Sequence, residues 1–144
     1  AGAARRARPP APRRLNFTPE GLAAAFFGAL VPYAPLPPPG AQPPLLWGSE
    51  PHVRRLFGDR VAALAMTRRH YVERSAAGPR GYYELCRETF GPMIAIRAGL
   101  ADEPERLAAL DRDFLDFTLR GNSGPPGGPA EYRYEILVVI ARKR

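Results

Sequence analysis

The segment Glu131–Ala141 constrains this chain more than any other. Tyr132, Tyr134, Ile136, Val138 and Ile140 alternate along it, the period of a β-strand with one face on a core. Leu137 and Val139 occupy the opposite face, so both faces are apolar near the end of the strand. Such a strand belongs inside a sheet, covered above and below. It needs neighbours on both sides.

The rest of the chain offers few. Leu15–Phe17 reads as the end of one strand. Arg60–Arg74 reads as another, in which Val61, Ala63, Ala65, Thr67, Arg69 and Tyr71 alternate with Leu64, Met66, Arg68 and His70. Helices account for most of what lies between. Thr18 has the chemistry of an N-cap, with Pro19 after it and Leu22, Phe26, Phe27 and Leu30 along one apolar face. Ser49 is placed to cap Glu50–Phe57, with Gly58 as its stop. Gly81–Phe90 is helical and breaks at Gly91-Pro92, and Met93–Leu100 continues it. Glu103–Arg120 carries Leu107, Leu110, Phe114 and Phe117 at helical steps. Proline and glycine crowd Pro9–Pro12, Pro32–Pro44 and Gly121–Pro129, which are expected to be connections. The expected order is strand end, helix, loop, helix, strand, three helical pieces, strand. That is α/β, with too few strands for a stable sheet of its own.

Charge narrows the function classes. The 144 residues carry a net charge of +7, and arginine supplies all but one of the 21 basic residues. Arg5, Arg6, Arg8, Arg13 and Arg14 precede the first acidic residue, Glu20, and make up most of the excess. Residues 1–14 are read as a disordered Ala/Arg/Pro leader rather than a nucleic-acid arm, so nucleic acid is not the expected partner. Arg68-Arg69-His70 is read as a solvated strand edge rather than a phosphate site. A single cysteine, Cys86, excludes an intramolecular disulfide and fits a reducing compartment. Two histidines and that thiol make no zinc site, so no metal is expected. The longest apolar run, Leu22–Val31, is about half the ~20 residues of a membrane span. Arg13-Arg14 ahead of it imitates an export signal, but Thr18-Pro19-Glu20-Gly21 reads better as a helix start. A cytoplasmic chain with no membrane partner is the expectation.

Several segments, in order, resemble the C-terminal part of class I S-adenosylmethionine-dependent methyltransferases of the Rossmann-like, quinone-biosynthesis and small-molecule type. They are Asn16-Phe17-Thr18-Pro19-Glu20-Gly21, Pro44-Leu45-Leu46-Trp47-Gly48-Ser49-Glu50, Val53-Arg54-Arg55-Leu56-Phe57-Gly58, Phe90-Gly91-Pro92 and the closing segment Tyr134–Arg144. The resemblance implies that Leu15–Phe17 ends the fifth strand and Arg60–Arg74 is the sixth. Glu131–Ala141 would be an antiparallel seventh strand inserted between them. Residues 15–144 would then be one part of a methyltransferase domain, with a helical substrate-side insertion at about 75–130. The family's glycine-rich loop between a first strand and its helix has no counterpart here, nor has the acidic residue ending the second strand. The cofactor implied is S-adenosylmethionine, but its binding motif is absent. The chain alone is therefore expected to be inactive, as a gene fragment, a frameshifted product, or a subunit completed by the missing N-terminal half.

No catalytic residue is assigned from sequence, because methyl transfer depends on positioning more than on acid–base help. The candidates for a pocket around a small-molecule acceptor are Tyr33, Trp47, His52, Tyr82, Arg87 and Phe90. A small basic module binding nucleic acid or a protein partner is the alternative function, and a subunit of a split methyltransferase is another.

Overall fold

A computed structural model describes residues 13–144. Three strands, five α-helices and three short 3-10 turns follow one another as β1 (Arg13–Phe17), α1 (Gly21–Gly28), α2 (Glu50–Phe57), β2 (Val61–Ser75), α3 (Gly78–Thr89), α4 (Gly91–Gly99), α5 (Pro104–Arg120) and β3 (Ala130–Lys143). The 3-10 turns are Val31–Tyr33, Pro44–Gly48 and Gly58–Arg60. The fold is mixed α/β around a small sheet. The expected disordered leader lies, for residues 1–12, outside the described residues. Its last two residues, Arg13 and Arg14, pair in β1 with Ile140 and Val139.

The strand order is β1-β3-β2, and β3 runs antiparallel to both neighbours. The two-faced apolar pattern of β3 thus has its structural cause. Tyr132, Tyr134 and Ile136 are buried on one face, Leu137 and Val139 on the other. Helices α1, α3, α4 and α5 cover the first face through Phe26, Tyr82, Met93, Leu110, Phe114 and Phe117. Helix α2 covers the second, where Val53 packs with Leu137 and Val139, and Phe57, Leu64 and Met66 close around them.

Two local expectations shift. Thr18 does not cap a helix. It is fully buried, its N–H donates to the Glu135 carbonyl at 3.0 Å, and its hydroxyl reaches the same oxygen at 3.4 Å. Both of its donors extend the β1–β3 ladder, so α1 starts later, at Gly21, without a side-chain cap. Ser49 holds the N-cap position of α2 but makes no side-chain capping bond. Gly58 ends α2 as expected, in the left-handed region at φ +44° where a side chain is disfavoured.

The proline-rich connection is held at both ends. Tyr33 donates its hydroxyl to Asp113 of α5, which raises the phenol and lowers the carboxyl from their usual ranges. At the other end, the 3-10 turn Pro44–Gly48 passes directly over the end of β1.

Candidate functional site

A cavity of about 280 Å3 opens between α1, α3 and the helix-covered face of the sheet. Its position follows from pairing. Antiparallel register sets Tyr71 against Tyr134 and Glu73 against Tyr132, so all four lie on one face. Tyr71, Glu73 and Tyr134 line the cavity, as does Phe17 at the end of β1. Helix α1 contributes Phe26 and Phe27, and α3 contributes Tyr82, Cys86 and, just past its end, Phe90. The rings support each other: Phe26 stands edge-on to Phe90 at 5.1 Å, and Phe17 tilts against Tyr134 at 5.1 Å.

The polar groups are sparse and placed. Tyr82 and Tyr134 share a buried hydrogen bond between their hydroxyls at 3.0 Å. Tyr71 donates its hydroxyl to Glu73, and that bond raises the phenol above its ordinary range. No lysine, arginine or histidine lines the cavity among the described residues.

The six residues expected from sequence do not converge. Tyr82 and Phe90 do line this cavity. Arg87 turns away, pairing with Glu84 at 2.7 Å and lying over the Tyr83 ring at 5.9 Å. Trp47 and His52 face one another edge-on at 6.4 Å beside α2. Tyr33 is engaged by Asp113 and lines a separate recess with Ile96 and Leu100. Residues missed by the sequence reading are Phe17, Tyr71, Glu73 and Tyr134. The signal available was the spacing of Tyr71 and Glu73, two residues apart on one face of a strand.

A larger cleft, about 470 Å3, lies between α1 and α5, but its charged groups are spoken for. Asp116 pairs with Arg120, and Asp113 with Tyr33 and Arg112. Of the basic cluster on β2, Arg68 is engaged, reaching Glu135 at 2.7 Å, Glu50 at 3.3 Å and Glu20 at 3.7 Å. Among the described residues no group of three or more histidine, cysteine or acidic side chains could hold a metal. No described helix is long and apolar enough to cross a membrane.

Burial around the cavity makes stability depend on pH. It pushes the Cys86 thiol up from 9.0 to about 11 and the Tyr132 phenol up from 10.0 to about 12. Tyr82 and Tyr134 are raised by the same cause. Each group is neutral when protonated, so above pH 9 the unfolded chain loses protons that the folded chain keeps. The stabilisation is complete below the unfolded values and is lost as pH rises from about 9 through about 12. A urea midpoint falling steadily from pH 9 upward is expected, with a shallower fall in Cys86→Ala. A midpoint unchanged up to pH 11 would contradict burial of these groups.

No family model matches the chain. It is similar to an uncharacterized protein of Mycobacterium tuberculosis, 32% identical over 102 residues that make up 71% of this chain and 37% of the relative. An uncharacterized protein of Mycobacterium bovis matches to the same extent. A second uncharacterized protein of Mycobacterium tuberculosis is 27% identical over 130 residues, 90% of this chain and 46% of that protein. The chain spans less than half the length of the curated relatives it matches.

Proposed function

We propose that this chain is the C-terminal, substrate-side part of a class I S-adenosylmethionine-dependent methyltransferase that acts on a small-molecule acceptor. The observation that carries the reading is the strand order β1-β3-β2 with β3 antiparallel to both neighbours. β1 and β2 are therefore parallel to each other, with the last strand of the chain inserted between them in the reverse sense. The resemblance read from the motifs calls for this arrangement of fifth, seventh and sixth strands. The helices α3, α4 and α5 fall between β2 and β3, where the family carries its substrate-side insertion.

Two further features favour a longer sheet. β1 pairs with β3 on one side, and its other side has no strand among the described residues. Asn16 Nδ2, on β1, is buried without a hydrogen-bond partner among the described residues, a donor that an adjoining strand could satisfy. The relatives are long enough to hold such strands, since more than half of each lies outside the match.

The residues of this chain do not themselves fit S-adenosylmethionine. The glycines of Gly121–Gly128 lie in the connection from α5 to β3, not between a strand and the helix it feeds. When bound in the intact enzyme, the cofactor supplies an electrophilic methyl carbon. What this chain contributes is the acceptor side: an aromatic cavity that orients a small molecule and keeps water from it.

The test is the coding sequence upstream of Ala1. A frame there with the glycine loop and the acidic strand end should, when produced with this chain as one polypeptide, bind S-adenosylhomocysteine by calorimetry. The 144-residue chain alone should not. Two separately produced halves that bind only when mixed would select the split-subunit form. Absence of binding in every combination would overturn the assignment.

A further inference from the structure

We propose that the cavity between α1, α3 and the sheet takes an organic cation, an amine or quaternary ammonium group carried on a compact flat apolar body. Only the amine could be a methyl acceptor, through the lone pair it bears once its proton has passed to water, and in that sense the inference rests on the methyltransferase reading. A quaternary ammonium has no lone pair and would be bound without reacting, so as a binding site the cavity stands apart from any methyl donor.

The charge pattern of the chain makes Glu73 conspicuous. With 21 basic and 14 acidic residues, a carboxylate has no shortage of cations to meet. The other half-buried carboxylates, such as Asp111, Asp116, Glu131 and Glu135, each pair with an arginine. Glu73 alone among the half-buried described carboxylates forms no ion pair, and it accepts a hydrogen bond from the neutral hydroxyl of Tyr71. Its neighbour along the strand, Arg74, sits on the opposite face and pairs with Glu131 at 2.9 Å.

Around that carboxylate the walls are aromatic. Phe17, Phe27, Tyr71, Tyr82, Phe90 and Tyr134 all line the same space. Ring faces carry negative electrostatic potential and attract a weakly hydrated cation without requiring a directional hydrogen bond. A carboxylate at one wall adds the counter-charge. An anion would meet that carboxylate and no compensating cation, and a strongly polar neutral ligand would find few partners. The volume, about 280 Å3, is small for a ligand site and limits the occupant to about one ring with its charged group.

The experiment titrates the full chain with three probes of one shape, followed by saturation-transfer NMR and calorimetry. They are benzyltrimethylammonium, its uncharged carbon isostere neopentylbenzene, and the anion phenylmethanesulfonate. The ammonium should bind at least about tenfold more tightly than the sulfonate, and more tightly than the isostere. Glu73→Gln should weaken the ammonium by about two- to fivefold, as for a half-exposed charge contact, and leave the isostere unchanged. Glu73→Asp should retain part of the preference. Phe90→Leu supplies an independent check should the Glu73 variants fold poorly, and it should also weaken the ammonium. Equal binding of ammonium and sulfonate, no binding of ammonium, or indifference to both Glu73→Gln and Phe90→Leu would overturn the proposal. Ammonium binding by a longer polypeptide that binds no S-adenosylhomocysteine would sink the methyltransferase reading and leave this one standing. S-adenosylhomocysteine binding with no ammonium binding would do the reverse.

Discussion

Phe114→Ala is expected to cost the fold about 3–5 kcal/mol, a large share of what a domain of this size has. The ring is completely buried in α5. It stands edge-on to Phe26 at 5.2 Å, tilts against Phe117 at 5.5 Å and reaches Tyr83 at 6.5 Å. It therefore joins α1, α3 and α5 at one point. Removing it leaves a hole whose walls belong to three helices, and these cannot all close on it without moving off the sheet. The cost is lost transfer energy plus an unfilled cavity. The melting midpoint should fall by roughly 10–20 °C. Leu119→Ala on the same helix, where the side chain is 57% exposed, should change it by about 2 °C or less. A consequence reaches the aromatic cavity, because Phe26 rests on Phe114 and lines that space. Affinity for benzyltrimethylammonium should drop in any Phe114→Ala protein that still folds. Equal melting midpoints for the two variants would mean that α5 does not pack as described.

The fold was legible wherever one residue pattern had one physical meaning. β3 is apolar on both faces, and only a central strand explains that; it lies between β1 and β2. Leu107, Leu110, Phe114 and Phe117 mark the buried side of α5, and all but half-buried Leu107 are fully inside. Reading failed where a group had two uses. Thr18 can cap a helix or extend a ladder, and the Glu135 carbonyl that decides it lies 117 residues away. The site was legible only in part, for the same reason. Tyr82 and Phe90 are near in sequence on a helix and its end, so a local reading finds them together. Glu73 acquires its role from register: β2 pairs with β3 and brings it beside Tyr132 and Tyr134, some sixty residues on. Trp47 and His52 went elsewhere because Val53 turns α2 toward Leu137 and Val139 on the far face.

Gly48→Ala should destabilise the chain by about 1–3 kcal/mol, although it adds only a methyl group. Gly48 is buried in the 3-10 turn Pro44–Gly48 and lies against the backbone at the end of β1. A Cβ built there would sit 1.9 Å from the Phe17 carbonyl oxygen and 2.7 Å from the Thr18 Cα. Neither is the tip of a side chain that could rotate away. Either the turn lifts off or the strand end yields, and the strand end is held by the Thr18 N–H bond to Glu135. The same close approach fixes Phe17, which lines the aromatic cavity and tilts against Tyr134. The substitution is therefore expected to act twice, lowering the urea midpoint and weakening benzyltrimethylammonium binding. Gly99→Ala supplies the contrast, since a Cβ there meets nothing within 4 Å and Gly99, the last residue of α4, is not among the glycines with positive φ. It should be neutral or stabilising by up to about 1 kcal/mol. If Gly48→Ala matches it, the proline-rich connection does not pass over β1 as described. The cavity would then lose the contact that sets its Phe17 wall, and the case for a site shaped by that connection would go with it.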